Sequence, residues 1–185
     1  MFNLPNLLTL LRIILIPVLM VFFLVPIKDA SAWATLIFFI AGVTDWFDGY
    51  LARRWQQTSP FGAFIDPVAD KLIVAVALLL ILFKSPTWYI LLPVAVIISR
   101  EITVSALREW MAEIGQRSVV KVAMIGKLKT AFQMLSIGCL IFYKPLWGLP
   151  IFDIGLGLLY LAALLTLSSM MSYLKAAWPM LRDKG

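Results

Sequence analysis

The sequence predicts an all-α, polytopic membrane protein with six transmembrane helices and both termini in the cytoplasm. Three observations carry this reading. The composition is that of a bilayer protein, the apolar stretches match a bilayer in length and number, and lysine and arginine gather at alternate connections.

Of 185 residues, 62% are hydrophobic and only 14% charged, and the mean hydropathy is +0.95. A soluble domain has about 25% charged residues, so this chain lacks the polar surface to dissolve. A span needs about 20 apolar residues to cross roughly 30 Å of hydrocarbon, so the length supplies six spans and short connections. That leaves no room for a second soluble domain, and residues 1–185 are read as one transmembrane domain.

The apolar segments run approximately from Leu4 to Val25, Trp33 to Tyr50, Phe64 to Phe83, Trp88 to Ala106, Val122 to Phe142, and Ile154 to Leu174. Between them lie Pro26 with Lys28 and Asp29, Ser59-Pro60, Ser85-Pro86, a polar stretch around Glu113 to Lys121, and Pro145 to Pro150. These are the residues that interrupt helices or start turns. Trp33, Trp55, Trp88, Trp147 and Trp178 stand near segment ends, as an interfacial aromatic belt requires. Lys28, Lys84 and Lys144 are alone in the odd-numbered connections, whereas Arg53, Arg54, Arg108, Arg117, Lys121, Lys127, Lys129, Lys175, Arg182 and Lys184 cluster at the even-numbered ones and the C-terminus. Excess positive charge marks the cytoplasmic side, which fixes the expected orientation. Ala30-Ser31-Ala32 imitates a signal-peptide cleavage site, but the run before it lacks a basic start, is too long, and contains Arg12.

The net charge of +6 does not indicate nucleic acid, because the basic residues sit at the ends of apolar segments and not on one polar face. A membrane surface and anionic substrates are the expected partners. The single cysteine, Cys139, excludes a disulfide scaffold and is read as lipid-facing or packed in the core. There is no histidine, so acid–base or metal chemistry has to use carboxylates.

Four of the ten acidic residues fall between Asp45 and Asp70. Ionisable groups at membrane depth are costly and are functional candidates by default. Asp45 and Asp48 are three apart on the second segment, with Gly49 and Ala52 on the same helical face, and Asp66 and Asp70 are four apart on the third. A short turn between antiparallel helices would bring all four carboxylates to the cytoplasmic edge. Like charges gathered there repel, so a cation has to compensate. Oxygen ligands without histidine or thiolate suit Mg²⁺ first and Mn²⁺ second, and four carboxylates are enough for two ions. The bland alternative is a set of salt bridges to Arg53, Arg54 and Lys71.

These residues carry a family resemblance. Asp45-x-x-Asp48-Gly49-x-x-Ala52-Arg53, followed after residues 54–61 by Gly62-x-x-x-Asp66-x-x-x-Asp70, resembles the signature of the CDP-alcohol phosphotransferases at every defining position. The resemblance implies a six-helix membrane fold, homodimeric, with a dinuclear metal site facing the cytoplasm. It implies that Asp45, Asp48, Asp66 and Asp70 are metal ligands, with Asp70 also the catalytic base. Gly49 and Ala52 would be small to admit the cytidine nucleotide, with Arg53 and Gly62 beside it. Asn6 and Thr9, in an Asn-x-x-Thr-x-x-Arg run ending at Arg12, would contact the nucleotide or its phosphates. The alternative for that run is helix-end capping with one snorkelling arginine.

A closer likeness is to the bacterial members of the family that pass a phosphatidyl group from CDP-diacylglycerol to glycerol 3-phosphate. It rests on Val43–Gly49, Phe61–Lys71, Arg100-Glu101, Ala106–Trp110 and Gly126–Thr130. It implies a multi-pass protein of the bacterial inner membrane, with CDP-diacylglycerol, glycerol 3-phosphate and membrane lipids as partners and no nucleic acid. A phosphorylated acceptor needs cations of its own, and Arg100, Lys127, Arg108 and Lys129 are the available supply, with Glu101 placed to hold Arg100. Read blandly, they are a positive-inside loop. Other acceptor alcohols within the family, and a divalent-cation transporter built on the same aspartates, are the rival readings.

Overall fold

The computed structural model describes residues 4–55, 60–114 and 124–183. These form six helices in chain order: α1 (Leu4–Leu24), α2 (Ala30–Trp55), α3 (Pro60–Lys84), α4 (Trp88–Glu113), α5 (Met124–Phe142) and α6 (Ile151–Asp183). An all-helical chain is what the bilayer demands, because each helix satisfies its own backbone amides and carbonyls. Three stretches, Leu7–Leu24, Trp88–Glu113 and Ile151–Lys175, are long and apolar enough to cross a membrane, and Ala30–Asp45 and Leu128–Phe142 are shorter apolar stretches. α3 has 25 residues but carries Asp66, Asp70, Lys71 and Lys84, so its length does not translate into an uninterrupted apolar span.

The helices outrun the apolar segments that predict them. α2 continues through Ala52, Arg53 and Arg54 to Trp55, α4 through Leu107, Arg108 and Glu109 to Glu113, and α6 to Asp183. Hydropathy marks where the chain meets hydrocarbon, whereas helical hydrogen bonding continues through residues such as alanine, leucine, arginine and glutamate that favour it. Pro60, expected in the break, is instead the first residue of α3, a position that uses its fixed φ and wastes no amide. The expected polar connection from Glu113 to Lys121 lies mostly outside the described residues.

The chain packs as two compact units, Met1–Ser85 with Ile137–Gly155, and Pro86–Ser136 with Leu156–Gly185. In the first, α1 packs against both α2 and α3, which touch each other less among the described residues. Leu19, Phe38, Ala69, Ala77 and Leu78 are buried there, while Phe39, Leu79 and Phe83 are exposed, as lipid-facing side chains must be. In the second, Ile90, Ile97, Met111 and Leu159 are buried.

The connections are tight. Tyr143 adopts φ 62° directly after α5, the left-handed residue that ends many helices. Trp147 and Gly148 have φ 52° and 79° between Leu146 and Leu149, which pair as an antiparallel bridge. Two successive positive φ values are the signature of a type I′ turn and explain the glycine. Trp147, at its tip, is 92% exposed. Near this turn Lys144 Nζ lies 3.1 Å from Asp29 Oδ1. The Lys84 ammonium sits 5.8 Å from the centre of the Phe23 ring and 5.5 Å from that of Tyr143, within cation–π range.

Gly155 packs hard against α5. A Cβ built on it would come within 2.8 Å of Cys139 Cβ and 3.1 Å of Leu140, whereas one on Gly157 would meet nothing within 4 Å. Gly155→Ala should therefore destabilise the protein by about 1–3 kcal/mol through overpacking, while Gly157→Ala should be neutral or gain up to roughly 1 kcal/mol of helix propensity. Thermal unfolding of both variants in detergent checks this, and equal midpoints would contradict it.

Candidate active site

Two polar side chains of α1 meet aspartates from its neighbours in the first unit. Thr9 and Arg12, three residues apart, share one face, and both are buried, at 0% and 1% exposure. The Thr9 hydroxyl donates to Asp66 Oδ1 of α3 at 2.5 Å. Arg12 Nη1 lies 2.9 Å from Asp45 Oδ1 of α2. One helix thus receives an aspartate from each of the two others.

This arrangement answers part of the sequence reading and revises part of it. Asp45 and Asp66, two of the four carboxylates expected to meet, each contact the same face of α1. Asp45 pairs with Arg12, a cation that the bland reading did not offer, while the side chains of Arg53 and Arg54 lie outside the described ones. Arg12 is not snorkelling, since a snorkelling arginine keeps its guanidinium in water and this one is enclosed. Its spacing from Thr9 was visible in the sequence, but nothing there named its partner. Asp70 lies one turn beyond Asp66 on α3 and is exposed, and Gly62 is buried. The side chains of Asn6, Asp48, Gly49, Ala52, Arg53 and Lys127 lie outside the described ones.

Among the described residues, no three carboxylate, histidine or cysteine side chains form a group that could hold a metal ion, and Asp48 cannot be counted among them. The chemistry of the donors nonetheless fits a hard divalent cation, being oxygen throughout. The Thr9 hydrogen bond and the Arg12 ion pair each fall on an Oδ1 atom.

The second unit holds a separate ionic cluster. Arg100 on α4 and Lys129 on α5 are buried and both meet Glu101 Oε1, Arg100 Nη1 at 3.5 Å and Lys129 Nζ in a close ion pair. Arg100 Nη2 also donates to Ser169 Oγ of α6 at 2.8 Å, and its guanidinium lies 5.6 Å from the Tyr173 ring centre. The structure therefore unites two of the four expected phosphate-binding cations around the glutamate placed beside them. Arg108 is exposed, two turns along α4, and is not part of this cluster. Ser169 and Tyr173 carry no signal in the sequence, being ordinary residues of a long apolar helix.

Two aspartates on two helices are thus held by a third in a polytopic helical membrane chain, and the class of that chain follows from its likeness to known proteins. The chain belongs to the CDP-alcohol phosphatidyltransferase family, whose profile matches residues 2–177. It is 50% identical over 183 residues to a protein of Escherichia coli (strain K12), covering 99% of each chain. It is 52% identical over 176 residues to one of Salmonella choleraesuis (strain SC-B67), covering 95% of each. A protein of Shigella flexneri serotype 5b matches at 50% over 183 residues, again covering 99% of each. All three relatives are named CDP-diacylglycerol--glycerol-3-phosphate 3-phosphatidyltransferase. The chain is accordingly an enzyme of phospholipid biosynthesis.

The Arg12–Asp45 contact makes Asp45 a structural residue whatever else it does. Asp45→Asn would leave the buried guanidinium without that carboxylate, at a cost of about 1–3 kcal/mol, given that Asp45 is itself half exposed. The double variant Arg12→Gln/Asp45→Asn should regain at least half of that loss. Unfolding midpoints measured in EDTA test the coupling, and a double variant as unstable as the two single effects added together would show that none exists.

Proposed function

We propose that the protein transfers the phosphatidyl group of CDP-diacylglycerol to the primary hydroxyl of glycerol 3-phosphate, giving phosphatidylglycerophosphate and CMP. The observation that supports this most is the near-complete coverage, at half identity, of relatives named for that reaction, joined to the signature aspartates. Residues 1–185 act as one catalytic domain in the bacterial inner membrane, with both termini and the site on the cytoplasmic side, where lysine and arginine are concentrated. The family resemblance adds a homodimer.

In this reading the acceptor oxygen attacks the phosphorus that bears diacylglycerol, and the bond from that phosphorus to the CMP oxygen breaks. Asp70 takes the hydroxyl proton. Asp45, Asp48, Asp66 and Asp70 hold Mg²⁺ or Mn²⁺, as two ions, which would supply charge neutralisation at the pyrophosphate and leaving group. Thr9 and Arg12 fix the carboxylates of Asp66 and Asp45, so the site keeps its shape between turnovers. Asn6, Thr9, Gly49, Ala52, Arg53 and Gly62 line the nucleotide. Arg100 and Lys129, helped by Lys127, bind the acceptor phosphate, with Arg108 adding positive charge two turns away, and Glu101 keeps the first two together while tempering their mutual repulsion. No covalent enzyme intermediate is needed.

The purified protein in mixed micelles should release CMP from CDP-diacylglycerol only when glycerol 3-phosphate and a divalent ion are both present. Turnover in excess EDTA, or with serine or inositol phosphate in place of glycerol 3-phosphate, would overturn the assignment. Within that assay Asp70→Asn should lose about 10²–10⁴-fold in kcat, the usual worth of a general base, while binding of Mn²⁺ by calorimetry weakens less than it does in Asp66→Asn.

Arg100→Ala and Lys129→Ala should instead act mainly on the acceptor. Loss of one charge-assisted hydrogen bond, about 1.5–3 kcal/mol, corresponds to roughly 10- to 150-fold in kcat/KM for glycerol 3-phosphate. A rise confined to the KM of CDP-diacylglycerol would show that these cations serve the lipid.

A further inference from the structure

The ionic cluster of the second unit continues into a layer that the proposed reaction has not used. On α5, Lys129, Gln133 and Ser136 are all buried at spacings of four and three, which places them on one face. On α6, Thr166 and Ser169 are buried three apart, and the Ser169 hydroxyl donates to the Thr166 carbonyl at 3.0 Å. α5 and α6 are joined by a short connection and run in opposite senses. One turn onward from Lys129 is Gln133, and one turn back from Ser169 is Thr166, so both steps lead the same way from the ionic layer. Lys129 and Ser169 are tied to neighbouring residues of α4, through Glu101 and Arg100.

Three polar atoms of this region are buried without a hydrogen-bond partner among the described residues: Gln133 Oε1, Thr166 Oγ1 and Arg100 Nε. Gln133 and Thr166 are 5% and 0% exposed. Each buried unsatisfied group costs about 1–3 kcal/mol, and three on α4, α5 and α6 of one unit call for a partner. Their chemistry is specific. The Arg100 donor belongs with the cations that suit a phosphate, the Gln133 oxygen needs a hydroxyl hydrogen, and the Thr166 hydroxyl gives or takes one. A helical turn is about 5.4 Å, comparable to the distance from a phosphorus to a hydroxyl two carbons away.

We propose that Gln133 and Thr166 are specificity-determining residues that bind the secondary hydroxyl of the acceptor. The phosphate contacts then supply affinity for any phosphorylated alcohol, and this deeper layer selects a three-carbon polyol phosphate. The inference rests on the reading of Arg100 and Lys129 as the acceptor-phosphate site. A site built to hydrogen-bond a hydroxyl rejects the analogue that lacks it, because its own polar groups are then left buried and unmatched.

The test compares kcat/KM for glycerol 3-phosphate with that for 3-hydroxypropyl phosphate, which keeps the phosphate and the primary hydroxyl and lacks only the secondary one. The wild-type protein should prefer glycerol 3-phosphate by about 10- to 100-fold, well inside what such a site can achieve. Thr166→Val and Gln133→Met, which preserve shape, should each lower turnover of glycerol 3-phosphate more than that of the analogue, shrinking the ratio about tenfold. Thr166→Ser should restore it. A wild-type protein that uses both compounds equally overturns the proposal without any variant, and so do variants that keep the wild-type ratio, the result expected if buried water alone satisfies these groups. If neither phosphorylated alcohol supports CMP release, the proposed function itself fails. If glycerol 3-phosphate works and the ratio does not move, only the role of Gln133 and Thr166 fails.

Discussion

A guanidinium buried in a membrane helix has to find an anion, and that requirement organises the first half of the molecule. Arg12 lies about 12 Å along α1 at 1.5 Å per residue, almost wholly enclosed, where a free charge would cost several kcal/mol. Its pairing with Asp45 brings α2 onto α1, and the Thr9 hydrogen bond to Asp66 does the same for α3. The carboxylates gain as much as the arginine does. Acidic groups gathered at one place repel, and a fixed positive charge offsets that repulsion before any metal arrives. Fold and site therefore depend on one another here, since the helices that carry the aspartates are held by the group that makes their proximity tolerable.

The second unit solves a similar problem with the signs reversed. Arg100 and Lys129 are two buried cations from different helices, and Glu101 stands between them. Glu101 leaves the group with net positive charge, which suits an incoming phosphate and repels a bare cation. The polar layer beyond it is neutral and only partly satisfied. In the proposed reading, charge would provide attraction and the neutral layer discrimination, a division of labour unlike that proposed for the aspartates, where the same groups would bind and react.

Six helices were legible in the sequence because each apolar stretch is bounded by proline, lysine or a polar cluster. Their ends were not, because Arg53, Arg54, Arg108 and Glu109 are polar yet favour helix. The aspartates were legible because spacings of three and four survive any tertiary arrangement. Arg12 was seen as part of a motif but its partner was not, since a single arginine near a helix start fits snorkelling and burial equally well until that partner is known. The role of Glu101 was half visible: its neighbour Arg100 is adjacent in sequence, but Lys129 reaches it only through folding. Gln133, Thr166 and Ser169 left no trace, because an uncharged polar residue in an apolar helix is commonplace and its meaning lies in what surrounds it.

The contact of Lys84 with the rings of Phe23 and Tyr143 has a consequence for biosynthesis. It joins the far ends of α1, α3 and α5, residues separated by more than half the chain, so it cannot exist while the nascent protein is still emerging with only its first helices in the bilayer. During that interval α1, α2 and α3 must rely on the contacts they make among themselves. The polar face of α1 offers such contacts from the moment α3 arrives, so the ties of Arg12 to Asp45 and of Thr9 to Asp66 can form early, and the contact with Tyr143 only later.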